Sequence, residues 1–254
     1  MCLIFYSYGG HPSKKTLNNF LSSNENVKKL NLWGGVGFAW INDKSNAWNY
    51  IRRLKIHTTF DSFPEAMLSN KVIVGHIRQI YTGNAEKKIE NVHPFSYRNQ
   101  LFLHNGDTCD FNTSSKLFFK DIDKELRTHI KGHTDTEYIF YMFLTIKKQL
   151  EIEIDYDDDI DILFKTTQLL FQYLHMHYKK FRTNFVYVNK SYSVIVRYAF
   201  NDTPLPLYVN GQHNRDRLLV TTSPVMDTYK MIPPQTILIV DHDKHTYITK
   251  KLNC

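Results

Sequence analysis

From Leu3 to Tyr8 the chain is apolar and aromatic with one serine, and Gly9-Gly10-His11-Pro12 ends the run. A short apolar run bounded by turn signals predicts a buried strand. Val36–Ile41, just after Gly34-Gly35, and Val72–Ile77 read the same way. Between them, Asp61-Ser62 ahead of Phe63-Pro64-Glu65-Ala66-Met67-Leu68 carries the N-cap and first-turn proline signals of a short helix. Asn99–Leu103 predicts a short strand running into His104-Asn105-Gly106, which reads as a turn. Thr134-Asp135-Thr136-Glu137 sets acidic residues where the helix dipole favours them, and predicts a helix to about Gln149.

The longest helix is predicted over about Asp159–Lys180, where Ile160, Leu163, Phe164, Thr167, Leu170, Phe171 and Leu174 share one face. Its acidic prelude, Asp155-Tyr156-Asp157-Asp158-Asp159, lacks the glycine and terminal glutamate of a calcium loop and reads as a solvated helix start. His175 and His177 are two residues apart, off a common helical face, so no metal pair is expected. Strand patterns then return at Phe185–Val188, Tyr192–Phe200, Leu218–Thr222, Thr236–Asp241 and Thr246–Lys250, with a hairpin-like break at Asn189-Lys190-Ser191. Strands at both ends with helices between them predict an α+β fold. With no linker or repeat in sight, residues 1–254 are expected to form a single domain.

Composition narrows the partners. Apolar residues at 42% suffice for a large core, and charged residues at 22% are ordinary for a globular chain. The net charge of +7 comes from lysine pairs scattered along the chain, without a nucleic-acid motif around them. Small anionic substrates suit that pattern better than nucleic acid. Cys2, Cys109 and Cys254 lie too far apart for a zinc site or a disulfide framework, which favours a reducing, cytoplasmic setting. Cys109 reads as a small buried filler. No apolar run approaches the roughly 18–20 residues of a membrane span. No basic segment precedes the apolar start, so a signal peptide is not expected.

The candidate chemistry begins at Met1-Cys2. With Met1 removed, Cys2 carries a thiol and a free α-amine, whose reference pKa values are about 8.5 and about 7.7–8.0. The amine can then take the thiol's proton, so one residue supplies nucleophile and base. Further along stand Gly35-Val36-Gly37-Phe38-Ala39-Trp40 and Gly75-His76-Ile77-Arg78-Gln79-Ile80-Tyr81-Thr82-Gly83. Asn91-Val92-His93-Pro94-Phe95, Leu103-His104-Asn105-Gly106-Asp107 and Thr134-Asp135-Thr136-Glu137 follow. Asn105 can offer a side-chain N–H and Gly106 a backbone N–H to a developing oxyanion, although Asn-Gly alone is also an ordinary hairpin turn. Arg78 suits a carboxylate through its two-pronged guanidinium. Asp135 suits an ammonium, while a helix cap is its plainer reading.

In this order and spacing the clusters resemble the class II glutamine amidotransferases, N-terminal-nucleophile hydrolases whose catalytic cysteine follows the initiator methionine. Within that group the chain looks most like the stand-alone γ-glutamyl hydrolases of glutathione breakdown and ergothioneine synthesis. The resemblance implies a four-layer αββα sandwich of two antiparallel sheets, with Cys2 at the end of the first strand in a cleft at the sheet edges. It implies Cys2, Asn105 and Gly106 as the catalytic residues. Arg78, Tyr81, Asp135, His93 and His104 belong to the substrate-binding set, the two histidines by shaping neighbouring loops. The implied reaction is hydrolysis of a γ-glutamyl amide through a Cys2 thioester, with no metal and no cofactor. With no length left for a synthase domain, any ammonia-using reaction calls for a separate synthase or peptidase partner protein. The subfamily has threonine where Tyr81 stands and an acidic residue where Ser223 stands. Two other readings stay open: an N-terminal-cysteine acylase of the bile-salt or penicillin type, and a catalytically silent binding module.

Overall fold

A computed structural model describes residues 2–10, 12–23, 33–42, 47–54, 61, 63–80, 87–108, 111–153, 159–211, 217–224 and 228–254. Met1, Tyr81, Cys109 and the acidic run 155–158 fall outside the described residues, and with them the expectations for Tyr81 and Cys109. The first strands in chain order are β1 (Leu3–Tyr8), β2 (Trp33–Asn42), β3 (Ala47–Arg53), β4 (Val72–Gln79), β5 (Phe95–Tyr97) and β6 (Gln100–Thr108). They are followed by β7 (Phe181–Val188), β8 (Tyr192–Phe200), β9 (Tyr208–Gly211), β10 (Leu218–Thr221), β11 (Lys230–Met231), β12 (Thr236–Asp241) and β13 (Thr246–Lys251). The α-helices are α1 (Lys14–Ser22), α2 (Phe111–Asp121), α3 (Lys124–Arg127), α4 (Asp135–Glu153) and α5 (Asp159–His177).

The strands form a seven-stranded sheet of order β11-β9-β10-β1-β4-β2-β3 and a six-stranded sheet of order β13-β12-β8-β7-β6-β5, with every pairing antiparallel. Their inner faces meet through Ile4, Tyr6, Val72 and Val74 on one side and Leu101, Leu103, Val186 and Val188 on the other. The outer face of the first sheet buries Phe5, Phe38 and Ile73 against Leu17, Phe20 and Leu21 of α1. The outer face of the second buries Phe102, Phe185 and Tyr187 against Phe140 and Phe143 of α4 and Leu170 and Phe171 of α5. The result is the αββα layering implied by the sequence. Phe102 anchors the helical side, with ring centroids 5.3 Å from Phe140 and 5.0 Å from Phe185.

Side chains alternate across a strand, so these core residues set the direction of their neighbours. Ile4 faces inward, and Cys2 therefore does too. Val74 carries His76 and Arg78 to the same inner face, and Leu103 carries Asn105 there from the opposite sheet. One end of the inter-sheet space thus collects the chemistry.

Several expectations change. His104-Asn105-Gly106 is strand, not turn, because β7 pairs with β6 residue for residue through Thr108↔Phe181. β1 is the fourth of seven strands, so Cys2 stands at a strand end in mid-sheet, away from the edge strands. α4 and α5 each have 19 residues, so α5 is not alone the longest helix. The predicted short helix is a 3-10 turn over Glu65–Ser69 with Pro64 at its N-cap and no side-chain cap bond. β3, β5, β9 and β11 and the helices α1, α2 and α3 were not legible. β5 and β11 have three and two residues, too few to show an alternation.

Candidate active site

Gln79, the last residue of β4, holds Cys2 by its backbone: its N–H donates to Cys2 Sγ at 3.3 Å, and Sγ–H donates to its carbonyl at 3.7 Å. The thiol is not in a disulfide, and burial pushes it up from its ordinary pKa while Gln79 and Arg78 pull it down. Leu3 pairs with Ile77, so the next step of the register sets Cys2 beside Arg78. Arg78 is 7% exposed. A Cβ on Gly34 would stand 2.8 Å from Arg78 Cγ, so the bare glycine makes room for the arginine to lie across β2. Burial lowers the guanidinium, and the charges of Cys2 and Asp135 push it back up. The three groups therefore sense one another.

Asp135 opens α4. Its Oδ2 accepts from the Thr108 backbone N–H at 3.3 Å and the Thr108 hydroxyl at 3.2 Å, and Oδ1 accepts from the Thr136 N–H at 2.8 Å. The carboxylate is thus oriented from the end of β6. Asn105 is 2% exposed, and its Nδ2 has no hydrogen-bond partner among the described residues. A Cβ on Gly106 would lie 2.1 Å from the Arg182 carbonyl oxygen and 2.5 Å from His104 Nε2, so only glycine lets β6 run this close to β7.

Three histidines lie beneath the site. His76 Nε2–H donates to the His104 carbonyl at 2.9 Å, across the gap between the sheets. His104 Nδ1 bonds the Thr136 hydroxyl at 2.9 Å. The His93 ring centroid is 3.8 Å from that of His76, and both His93 ring nitrogens are buried without a partner among the described residues. Burial pulls His76 down to about 3 and His93 well below the ordinary imidazole value. It lowers His104 as well, with the Asp135 and Asp107 charges opposing. His104 is part of β6 instead of a loop, and its ring turns toward α4.

The structure brings Cys2, Arg78, Asp135 and the Asn105-Gly106 step to one end of the sheets. His76, Thr108 and Thr136 were not singled out in the sequence. His76 shares the inward face of Arg78 two residues away, which was the available signal. Ser223 follows the residue that meets β1: its N–H donates to Thr221 Oγ1 at 3.2 Å, and Thr222 Oγ1 accepts from the Ile4 N–H at 3.0 Å. No cluster of metal-ligating side chains occurs among the described residues. No described helix is long and apolar enough to cross a membrane.

Two facing antiparallel sheets between helices are the fold of the N-terminal-nucleophile glutamine amidotransferases. The family model for class II glutamine amidotransferases matches residues 34–203, and the chain belongs to that family. The matched stretch begins after Cys2, so it does not include that residue. The probable glutamine amidotransferase DUG3 of Saccharomyces cerevisiae is 32% identical over 73 residues, 29% of this chain and 20% of that protein. The chain therefore spans only a small part of this curated relative. A glutamine aminotransferase class-II domain protein from Silicibacter pomeroyi superposes with a TM-score of 0.64 at 19% identity, covering 99% of this chain and 100% of that one. The glutamine phosphoribosylpyrophosphate amidotransferase of B. subtilis gives 0.65 at 13% identity over 99% of this chain and 49% of its own. At such identities the likeness is one of fold.

Proposed function

We propose that the protein hydrolyses a γ-glutamyl amide, glutamine or a γ-glutamyl peptide, through a thioester on Cys2. The observation that carries this reading is the buried Asn105 Nδ2, which lacks a partner among the described residues and lies on the inner face opposite the Cys2 strand. Leaving a buried donor unpaired costs about 1–3 kcal/mol, and a developing oxyanion offsets that cost only when substrate reacts. Arg78 receives the α-carboxylate and Asp135 the α-ammonium, which positions the γ-carbonyl near the thiol. With Met1 removed, the free amine of Cys2 takes the thiol proton as Sγ bonds to the γ-carbon. Asn105 and the Gly106 N–H hold the resulting oxyanion. Collapse breaks the carbon–nitrogen bond, and the amine departs with the proton returned from the Cys2 ammonium. Water, deprotonated by the same amine, adds to the thioester and releases glutamate and the free thiol.

The need for a reduced thiol suits a cytoplasmic setting. Released ammonia, or the liberated peptide remainder, would pass to a separate synthase or peptidase partner. The test begins with an intact-mass measurement to establish that Met1 is gone. The protein is then incubated with glutamine and with a glutathione-like peptide. Glutamate release and modification of Cys2 by a glutamine-mimicking electrophile are expected. Absence of both overturns the reading.

A further inference from the structure

The inner faces of the sheets meet mainly through apolar side chains, whose attraction has no preferred direction. Ile4, Val74 and Leu103 could slide by a few tenths of an ångström at little cost, yet an oxyanion hole tolerates little misplacement. At the site end a directional contact bridges the sheets, the 2.9 Å bond from His76 Nε2–H to the His104 carbonyl. A carbonyl only accepts, so the proton sits on Nε2 and leaves Nδ1 as the buried nitrogen without a partner among the described residues. The His93 ring, 3.8 Å away by centroid, covers one side of the imidazole and restricts its rotation. The bond is out of water, where its strength and its directionality are greatest.

Its acceptor is the peptide that leads into Asn105. Residue 104 is also held by its own ring, through the Thr136 hydroxyl at 2.9 Å, one residue after Asp135 on α4. The strand carrying Arg78 and the helix carrying Asp135 are thus both referenced to one residue of β6. Resting on the γ-glutamyl hydrolase reading above, we propose that His76 is a positioning residue: its bond to the His104 carbonyl fixes the orientation of the following peptide and aims the Asn105 amide at the reacting carbonyl. His76 touches neither substrate nor nucleophile in this role. It keeps the oxyanion donors in register with the Arg78 handle two residues along β4.

The test compares His76→Leu, His76→Gln and His76→Asn, with turnover expressed per Cys2 thiol titrated by the glutamine-mimicking electrophile, so that misfolded protein does not count. Glutamine can present an amide N–H near the position of Nε2, whereas asparagine is too short. Loss of the bond is expected to lower kcat about 10- to 100-fold in His76→Leu and His76→Asn, with KM within about threefold, as small misplacements near chemistry do. His76→Gln should recover kcat to within about threefold of wild type on the same reasoning. A merely structural histidine would lower the melting temperature and the titratable thiol, but not kcat per thiol. Wild-type kcat in His76→Leu overturns the proposal. If His76→Leu does not fold, the two amides decide: equal kcat in His76→Asn and His76→Gln overturns it. A wild-type protein that releases no glutamate overturns the functional reading and the positioning role together. An active wild type with an indifferent His76 overturns only the positioning role.

Discussion

A buried amide nitrogen with no partner among the described residues, as at Asn105, is unusual, because nearly all buried donors in folded chains are paired. Its neighbours explain why it persists: the alternation that buries Leu101 and Leu103 between the sheets carries the Asn105 side chain into the same space. Asn105→Ala should therefore separate function from stability. We expect kcat to fall about 100- to 1000-fold, the usual cost of one oxyanion donor. The melting temperature should stay nearly unchanged, since no hydrogen bond to a described residue is lost. Steady-state kinetics and a thermal melt of the same preparation check both halves. Cys2, Arg78, Asn105, Gly106 and Asp135 were legible as candidates because their spacing matches a family pattern. The role of His76 runs through a carbonyl on the other sheet, which no spacing along the chain shows.

β6 and the entrance to α4 are the elements on which the site stands. Asn-Gly is a strong hairpin signal, so local chemistry argued for a turn at 105–106. Pairing with β7 overrides it, because the tight approach to Arg182 needs a residue without Cβ. The start of α4 is tied by Glu137, whose carboxylate accepts from the Lys131 N–H at 2.9 Å and the Gly132 N–H at 2.7 Å. Burial pushes its pKa up, and those two backbone donors oppose the shift. Glu137→Ala is expected to destabilise the fold by about 2–4 kcal/mol, the loss of two charge-assisted bonds to part-buried backbone. Denaturant unfolding should show a lower midpoint at unchanged slope. KM should rise as Asp135, two residues earlier, loses its support. An unchanged midpoint would remove Glu137 from this role.

Across the whole molecule, the buried histidines couple stability to pH. His76 is held at about 3 and His242 at about 4, both by burial, against an ordinary value of 6.5. His242 is bound on both ring nitrogens, by the Ser193 hydroxyl at 2.8 Å and the Lys190 carbonyl at 3.0 Å. Below pH 6.5 the unfolded chain takes up protons that the folded chain refuses. Stability is therefore fully present above that value and falls as pH drops toward 4. The melting temperature should decline measurably between pH 7 and pH 5, before the carboxylates titrate. His242→Gln should flatten that decline. A melting temperature level over the whole window would show that the buried histidines do not govern it.

The layered α+β architecture was legible because hydrophobic periodicity is a local property: β1, β8 and β12 begin and end where their apolar runs do. The family pattern was legible for the same reason, since each cluster is a contiguous stretch whose order survives without knowledge of the fold. Edge strands such as β3 and β5 were hidden, because half-exposed or very short segments carry little apolar signal. Only the tertiary structure decided that Asn105-Gly106 is strand and that Cys2 ends a central one. It also decided that residue 104 is held from two sides, by His76 and Thr136. Those facts depend on backbone pairing and on groups tens of residues apart meeting across a gap, and no local stretch of sequence encodes such a distance.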